Sequence, residues 1–280
     1  MNSLFRNLSI PAMLAVFAAP IYAQTGADLN VSPKRMVFSQ TQRTATVFVY
    51  NRGTEPATYS IELTDRVMTP DGNIRTLEDL AKDPSAAPYA ALLKSAKPMI
   101  VYTPRRVTLG PNENQTIRLR ALRPAGLADG EYRTFLTITA VPPEDTGFTA
   151  EQAGSQRTEE LSMSIVALFS LSIPVIVRQG EGEVSVKISD SKIESKSLIV
   201  NLLRAGSSSL YGDLEIRRGS ANGELVGFVK GLGIYPEVQN RQVTVALTGD
   251  IKPGEKLMAL FRDDDLKPGS ILTSEMLVAR

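Results

Sequence analysis

The chain has 280 residues and contains no cysteine, no histidine and no tryptophan. Each absence excludes a kind of chemistry. Without histidine there is no Ser-His-Asp triad. Without cysteine or histidine there is no Cys-His nucleophile, and nearly all zinc and transition-metal sites lose their ligands. Sugar-binding sites often use tryptophan faces, and none is present. Without disulfides, burial must supply the stability. Charge of one sign is also missing: the net charge is +1 and the pI about 7.8, so nothing pulls the chain toward nucleic acid or an anionic membrane. No Gly-rich phosphate loop occurs, and Arg105-Arg106 is too isolated to read as a nucleic-acid patch. Asp71-Gly72-Asn73 lacks the distal glutamate of a calcium loop and reads as a hairpin turn. Glu144-Asp145 reads as a solvated loop. Composition alone leaves carboxylate or lysine chemistry open, but no catalytic site, metal, cofactor or small-molecule substrate is expected.

What is present is a sizeable apolar fraction, 42%, enough for a real core in a chain long enough for two domains. Residues 1–23 carry one positive charge at Arg6, an apolar run from Leu8 to about Ala19, and then Pro20-Ile21-Tyr22-Ala23. That layout is expected to be a secretory signal peptide cleaved after Ala23, leaving an exported, soluble protein.

The longest pattern is Leu161 to Arg178, LSMSIVALFSLSIPVIVR. All nine odd positions are apolar, while the even ones mix serine, apolar residues, Pro174 and Arg178. A period of two marks a strand with one buried face. At ~3.3 Å per residue, eighteen such residues would reach on the order of 60 Å. The run therefore either crosses from one domain into the next or offers part of its apolar face to a partner. Periodicity does not say whose core it fills.

Around this stretch, short alternating segments recur. They cover 29–38 (broken by Pro33), 42–50, 56–63, 99–102, 106–109, 115–121 and 131–141. Residues 76–97 read as short helical turns or an irregular loop, and 144–159 as a polar loop. Past the hinge Gly180-Glu181-Gly182, seven more strands follow at 184–188, 197–203, 209–217, 225–232, 241–247, 256–262 and 272–278. Many short strands with turn signals every eight to twelve residues predict an all-β chain of two immunoglobulin-like β-sandwich domains, 24–179 and 180–280.

Taken in order, several stretches resemble the PapD-like periplasmic pilus chaperones of the chaperone–usher pathway. They are LNVSPKRMVF, the strand ending in NRGTEP, YTPRRVTLGPNENQTIRLR, LADGEYRTFLTITAVPP, and IPVIVR followed by glycine. The last is similar to the archaic, spore-coat-U-like branch. The resemblance is distinct in the first domain and weak in the second. It implies two sandwiches set as an L or boomerang with a cleft, a periplasmic location, and capping of incomplete pilus subunits by donor-strand complementation. It also implies delivery to an outer-membrane usher as a partner and the option of a self-capping homodimer. The residues carried over are Met163, Ile165, Ala167 and Phe169, with Leu161 a possible extra, as donated side chains, and 173–177 as this protein's own core. Arg35 would anchor the subunit's C-terminal carboxylate. Glu131 and Arg178 would form an interdomain salt bridge with one of Asp263, Asp264 and Asp265, taken here as Asp263. The family's second anchor, a lysine, is replaced by Pro174; Lys34, Arg118 and Arg178 are candidate substitutes. The alternative is a secreted two-domain immunoglobulin-like adhesin or structural pilus component.

Overall fold

The computed structural model describes residues 28–142, 169–194 and 196–279. The expected signal peptide and the stretch from Leu161 to Leu168 lie outside the described residues. The first half carries β1 (Leu29–Ser32), β2 (Met36–Phe38), β3 (Thr44–Asn51), β4 (Ala57–Thr64), β5 (Arg66–Met68), β6 (Ile74–Thr76), α1 (Leu77–Ala81), α2 (Ala87–Ala91), β7 (Ile100–Thr103), β8 (Arg106–Leu109), β9 (Asn114–Ala121), β10 (Gly130–Val141) and β11 (Ser170–Gln179). The second half adds β12 (Val184–Glu194), β13 (Ser197–Gly206), β14 (Leu210–Arg218), β15 (Leu225–Ile234), β16 (Asn240–Ala246), β17 (Lys256–Asp263) and β18 (Ile271–Val278).

In the first half a sheet ordered β1-β3-β9-β7 faces one ordered β2-β11-β10-β4-β8. The alternation seen in the sequence produces the packing. In β3, Val47 and Val49 are fully buried while Thr46, Phe48 and Tyr50 face out. Opposite them, Tyr59 and Ile61 of β4 and Leu136 and Ile138 of β10 close the same core. Pro33, which has no N–H for a ladder, ends β1, and the chain changes sheets. β1 pairs antiparallel with β3 and β2 pairs parallel with β11. The residues between Arg66 and Ala91 form a β5–β6 hairpin and two short helices. Gly72 takes a positive φ of 83° at the hairpin's turn, and Thr76 caps α1 by accepting a hydrogen bond from the Asp79 amide.

In the second half a sheet ordered β12-β13-β16 faces one ordered β15-β14-β17-β18. Its core includes Val200, Leu202, Leu214, Ile216, Val245 and Phe261, all fully buried. The fold is therefore all-β, two immunoglobulin-like sandwiches in sequence. They share residues: Met68, Phe135 and Ile176 of the first half pack into the second half's core. The N-terminal end of β10 and the C-terminal end of β11 are thus buried on both faces, one face in each domain.

Asn51 shows how the turns are held. It is fully buried at the end of β3. Its amide donates to the carbonyls of Glu55 (2.8 Å), Leu109 (3.1 Å) and Gly110 (3.2 Å), and its oxygen accepts from the Gly53 amide (3.0 Å). One side chain thereby ties the β3–β4 turn to the β8–β9 turn. Asn51→Ala leaves these groups without partners and should cost about 1–3 kcal/mol. The check is a lowered urea midpoint with an unchanged m-value; an unchanged midpoint would remove the role of this side chain.

Candidate functional site

Of the candidate residues, Arg35, Glu131 and Arg178 gather where β10 and β11 meet the second sandwich. Glu131 and Arg178 are register partners on these strands, so their side chains leave the sheet on the same face, toward the second domain. Arg178 Nε donates to Glu131 Oε2 at 3.1 Å, and the same oxygen accepts from the amide (3.0 Å) and hydroxyl (2.9 Å) of Ser209. Arg178 also grips Asp265 with both terminal nitrogens, Nη1 reaching Oδ1 at 3.1 Å and Nη2 reaching Oδ2. This two-pronged contact matches guanidinium to carboxylate. Arg35, just before β2, joins from the other side. Its Nη2 donates to Asp265 Oδ2 (2.9 Å) and to Ser209 Oγ (3.1 Å), and its guanidinium lies over the Tyr211 ring, 4.7 Å from the centroid.

Two arginines from the first domain thus hold one aspartate from the second. Burial pushes the Asp265 carboxyl up, but hydrogen bonds from Arg178 and Arg35, and their charges, outweigh it and hold the group below the usual carboxylate range. Arg178 feels the same balance: burial alone would lower it, and Asp265 and Glu131 raise it.

Asp263 is a correction. The interdomain carboxylate is Asp265, not Asp263. Asp263 is the last residue of β17, and its side chain turns back to cap the turn that follows, accepting from the amides of Asp265 (3.2 Å) and Lys267. Asp264 is exposed. Three consecutive aspartates look alike in sequence; the turn geometry separates them. Of the candidate substitutes for the second anchor, Lys34 is occupied with Asn30 Oδ1 at 2.8 Å, Arg118 is exposed on β9, and Arg178 is committed to Asp265 and Glu131.

A second buried pair went unread in the sequence. Arg133 of β10 and Glu237 of the β15–β16 loop are joined by two hydrogen bonds, Nη1 to Oε2 at 3.1 Å and Nη2 to Oε1, with both side chains 2% exposed. Glu237 also accepts from the Met68 amide at 2.9 Å, and the Arg133 guanidinium stacks on Tyr235, 3.7 Å from the ring centroid. Arg123 was missed as well: its Nη2 donates to the carbonyls of Phe38 (3.1 Å) and Ser39 (2.6 Å), bracing the end of β2. The available signal was weak: Arg133 is one charged residue in a mixed strand, and Arg123 and Glu237 lie in loops where a charge ordinarily meets water.

β11 supplies the remaining geometry. The Ala140 amide donates to the Phe169 carbonyl at 2.9 Å. In an antiparallel ladder this alternates, so odd residues of β11 point their main-chain groups at β10 and even residues point theirs the other way. On that other edge, β2 covers only Val175 to Val177. Among the described residues, no strand lies beside Ser170 and Ser172 there, while Pro174 and Ile176 flank the parallel Val175–Met36 pair. Pro174 is tolerated because its missing N–H faces that edge and not the β10 ladder. The hydroxyls of Ser170 and Ser172 pair with those of Thr139 (3.1 Å) and Thr137 (2.9 Å), holding the strand to β10. The odd side chains grade outward: Ile173, Val175 and Val177 lie in the first core, Leu171 lies half-buried at its margin, and Phe169 is 55% exposed. Of the four named donor residues, Phe169 alone is described; Met163, Ile165 and Ala167 lie outside the described residues.

The sequence matches no family model and no curated protein. It is similar to several solved chaperone structures. The YadV chaperone is 13% identical with a TM-score of 0.46, over 89% of this chain and 100% of that one. The SafB chaperone of Salmonella enterica, solved with the SafA pilin, is 13% identical with a TM-score of 0.44, over 91% and 98%. The CsuC–CsuE chaperone–subunit complex from the archaic Csu pili of Acinetobacter baumannii gives 13% and 0.40, over 90% and 97%.

Two measurements test the interdomain contacts. Asp265 is depressed, so its stabilisation is in place above the ordinary carboxylate range, about pH 4, and is lost as pH falls through its lower native value. Asp265→Asn should be less stable than wild type at pH 7, and its stability should change less over the acid window. Denaturant melts from pH 7 to pH 2 with equal acid slopes for both would refute this. Glu237→Ala strands a buried guanidinium and should cost about 3–5 kcal/mol, read by urea unfolding; a loss under about 1 kcal/mol would match a solvated surface pair instead.

Proposed function

We propose that this chain is a periplasmic chaperone for pilus subunits, capping an incomplete immunoglobulin-like subunit by lending it an edge strand and passing it to an outer-membrane usher. The observation that carries the reading is the edge of β11. Main-chain donors and acceptors at Ser170 and Ser172 face no strand among the described residues, and such an edge recruits an added strand through backbone hydrogen bonds while alternating side chains supply specificity. Phe169 is exposed at its outer end. Met163, Ile165 and Ala167 continue the same odd register in sequence and are proposed as further donated side chains.

The edge also has a polarity. β2 runs parallel to β11 with Met36 opposite Val175, which puts Arg35 level with Pro174. A subunit strand that ends there runs parallel to β11 and brings its terminal carboxylate to Arg35. The Nη2 of Arg35 is shared by Asp265 and Ser209. Among the described residues its Nη1 makes no hydrogen bond, and it is the group offered to the incoming carboxylate. The reading needs neither catalysis nor a nucleotide.

The test is periplasmic co-expression with a fimbrial subunit from the same operon. Wild type should yield a stoichiometric complex. The double change Ile165→Asp and Phe169→Asp should abolish it while leaving the unfolding curve intact, since burial of such side chains is worth about 1.5–3 kcal/mol each. If the double variant unfolds on its own, those residues belong to the protein's own core. Arg35→Ala should weaken capture about 10- to 100-fold, the range for a hydrogen bond to a charged group; undiminished capture would remove Arg35 as the anchor.

A further inference from the structure

We infer that Pro174 is the inner stop of the strand-adding edge, so that an incoming subunit strand makes its last main-chain exchange with β11 at Ser172. This rests on the chaperone reading above. Residue 174 is an even position, with its main-chain groups directed away from β10, as the Ala140-to-Phe169 hydrogen bond sets the alternation. Proline has no N–H, so at this position the edge offers no donor, and its carbonyl is turned to β2 by the parallel Val175–Met36 pair. One residue further, Val175 is already paired with Met36 of β2, the first of three paired positions. The edge available to a partner is therefore bounded on its inner side by a missing donor and then by a strand already in place.

At the same level the chain presents the Arg35 guanidinium, whose side chain is 10% exposed. Main-chain recognition gives way there to charge recognition. The subunit terminus is held by Arg35 and not by a further rung of the ladder. Pro174 thus sets the register of the docked strand. It prevents a strand that is one residue pair too long from sliding inward and drawing its carboxylate past Arg35.

Pro174→Val restores the donor with a residue suited to a strand, and Pro174→Ala does so with minimal bulk. In complex with the co-expressed subunit, the new amide at 174 should be protected from hydrogen exchange relative to the same variant alone. Dissociation of the subunit should slow by about two- to tenfold, the worth of one added main-chain hydrogen bond. Agreement between the two variants separates the donor from the packing of the side chain. Wild-type capture together with an unprotected amide at 174 and unchanged dissociation in both variants would overturn the role of Pro174 alone. Absence of capture by the wild-type chain would overturn the chaperone reading beneath it as well.

Discussion

A guanidinium buried between two domains must find its counter-charge on the other side, because an unpaired buried charge costs several kcal/mol. Two such demands stand side by side here. Arg133 and Arg178 lie on neighbouring strands and reach into the second sandwich, where Glu237 and Asp265 answer them. Ion pairs of this kind add little net stability over a well-packed apolar contact, but they are selective about geometry: a shift of the second domain along the first would break both at once. Around them Met68, Phe135 and Ile176 bury apolar surface in the second domain's core. The apolar contact supplies the energy and the charges supply the register.

That register sets the character of the open edge of β11. β11 is held by three neighbours at its C-terminal end, namely β10, β2 and the second sandwich, and, among the described residues, by β10 alone at its N-terminal end. Its rigid part therefore positions its open part. Exposed strand edges are normally a hazard that proteins blunt with charge, proline or a covering segment. On the proposed reading, Pro174 marks where the open edge stops and leaves the remainder able to pair.

Much of this was legible in the sequence. The alternation of apolar residues and the spacing of turns were enough for two β-sandwiches, because burying one face of a strand imposes a period of two whatever the topology. The break at Pro33 and the hairpin at Asp71-Gly72 followed from backbone chemistry. Partner choice was not legible. Alternation from Leu161 to Arg178 marks a buried face without saying in whose core; the structure assigns Ile173, Val175 and Val177 to the first sandwich and leaves Phe169 outside. Asp265 was indistinguishable from Asp263 because the choice depends on how the β17–β18 turn closes. Glu237 gave no sign, because its partner lies 104 positions away in sequence and a single glutamate in a loop ordinarily meets water.

The double burial of β10 and β11 bears on how the chain is made. The first sandwich is complete in strands at Gln179, while its interdomain face is not: Phe135 and Ile176 lack apolar cover, and Arg133 and Arg178 lack their second-domain carboxylates until Glu237 and Asp265 have been synthesised. During that interval, nearly a third of the chain's length, the nascent protein carries an exposed greasy surface on which Arg133 awaits Glu237 and Arg178 has Glu131 but not yet Asp265. A protein read as shielding the unfinished surfaces of others passes through its own unfinished stage first, and its second domain is what ends it.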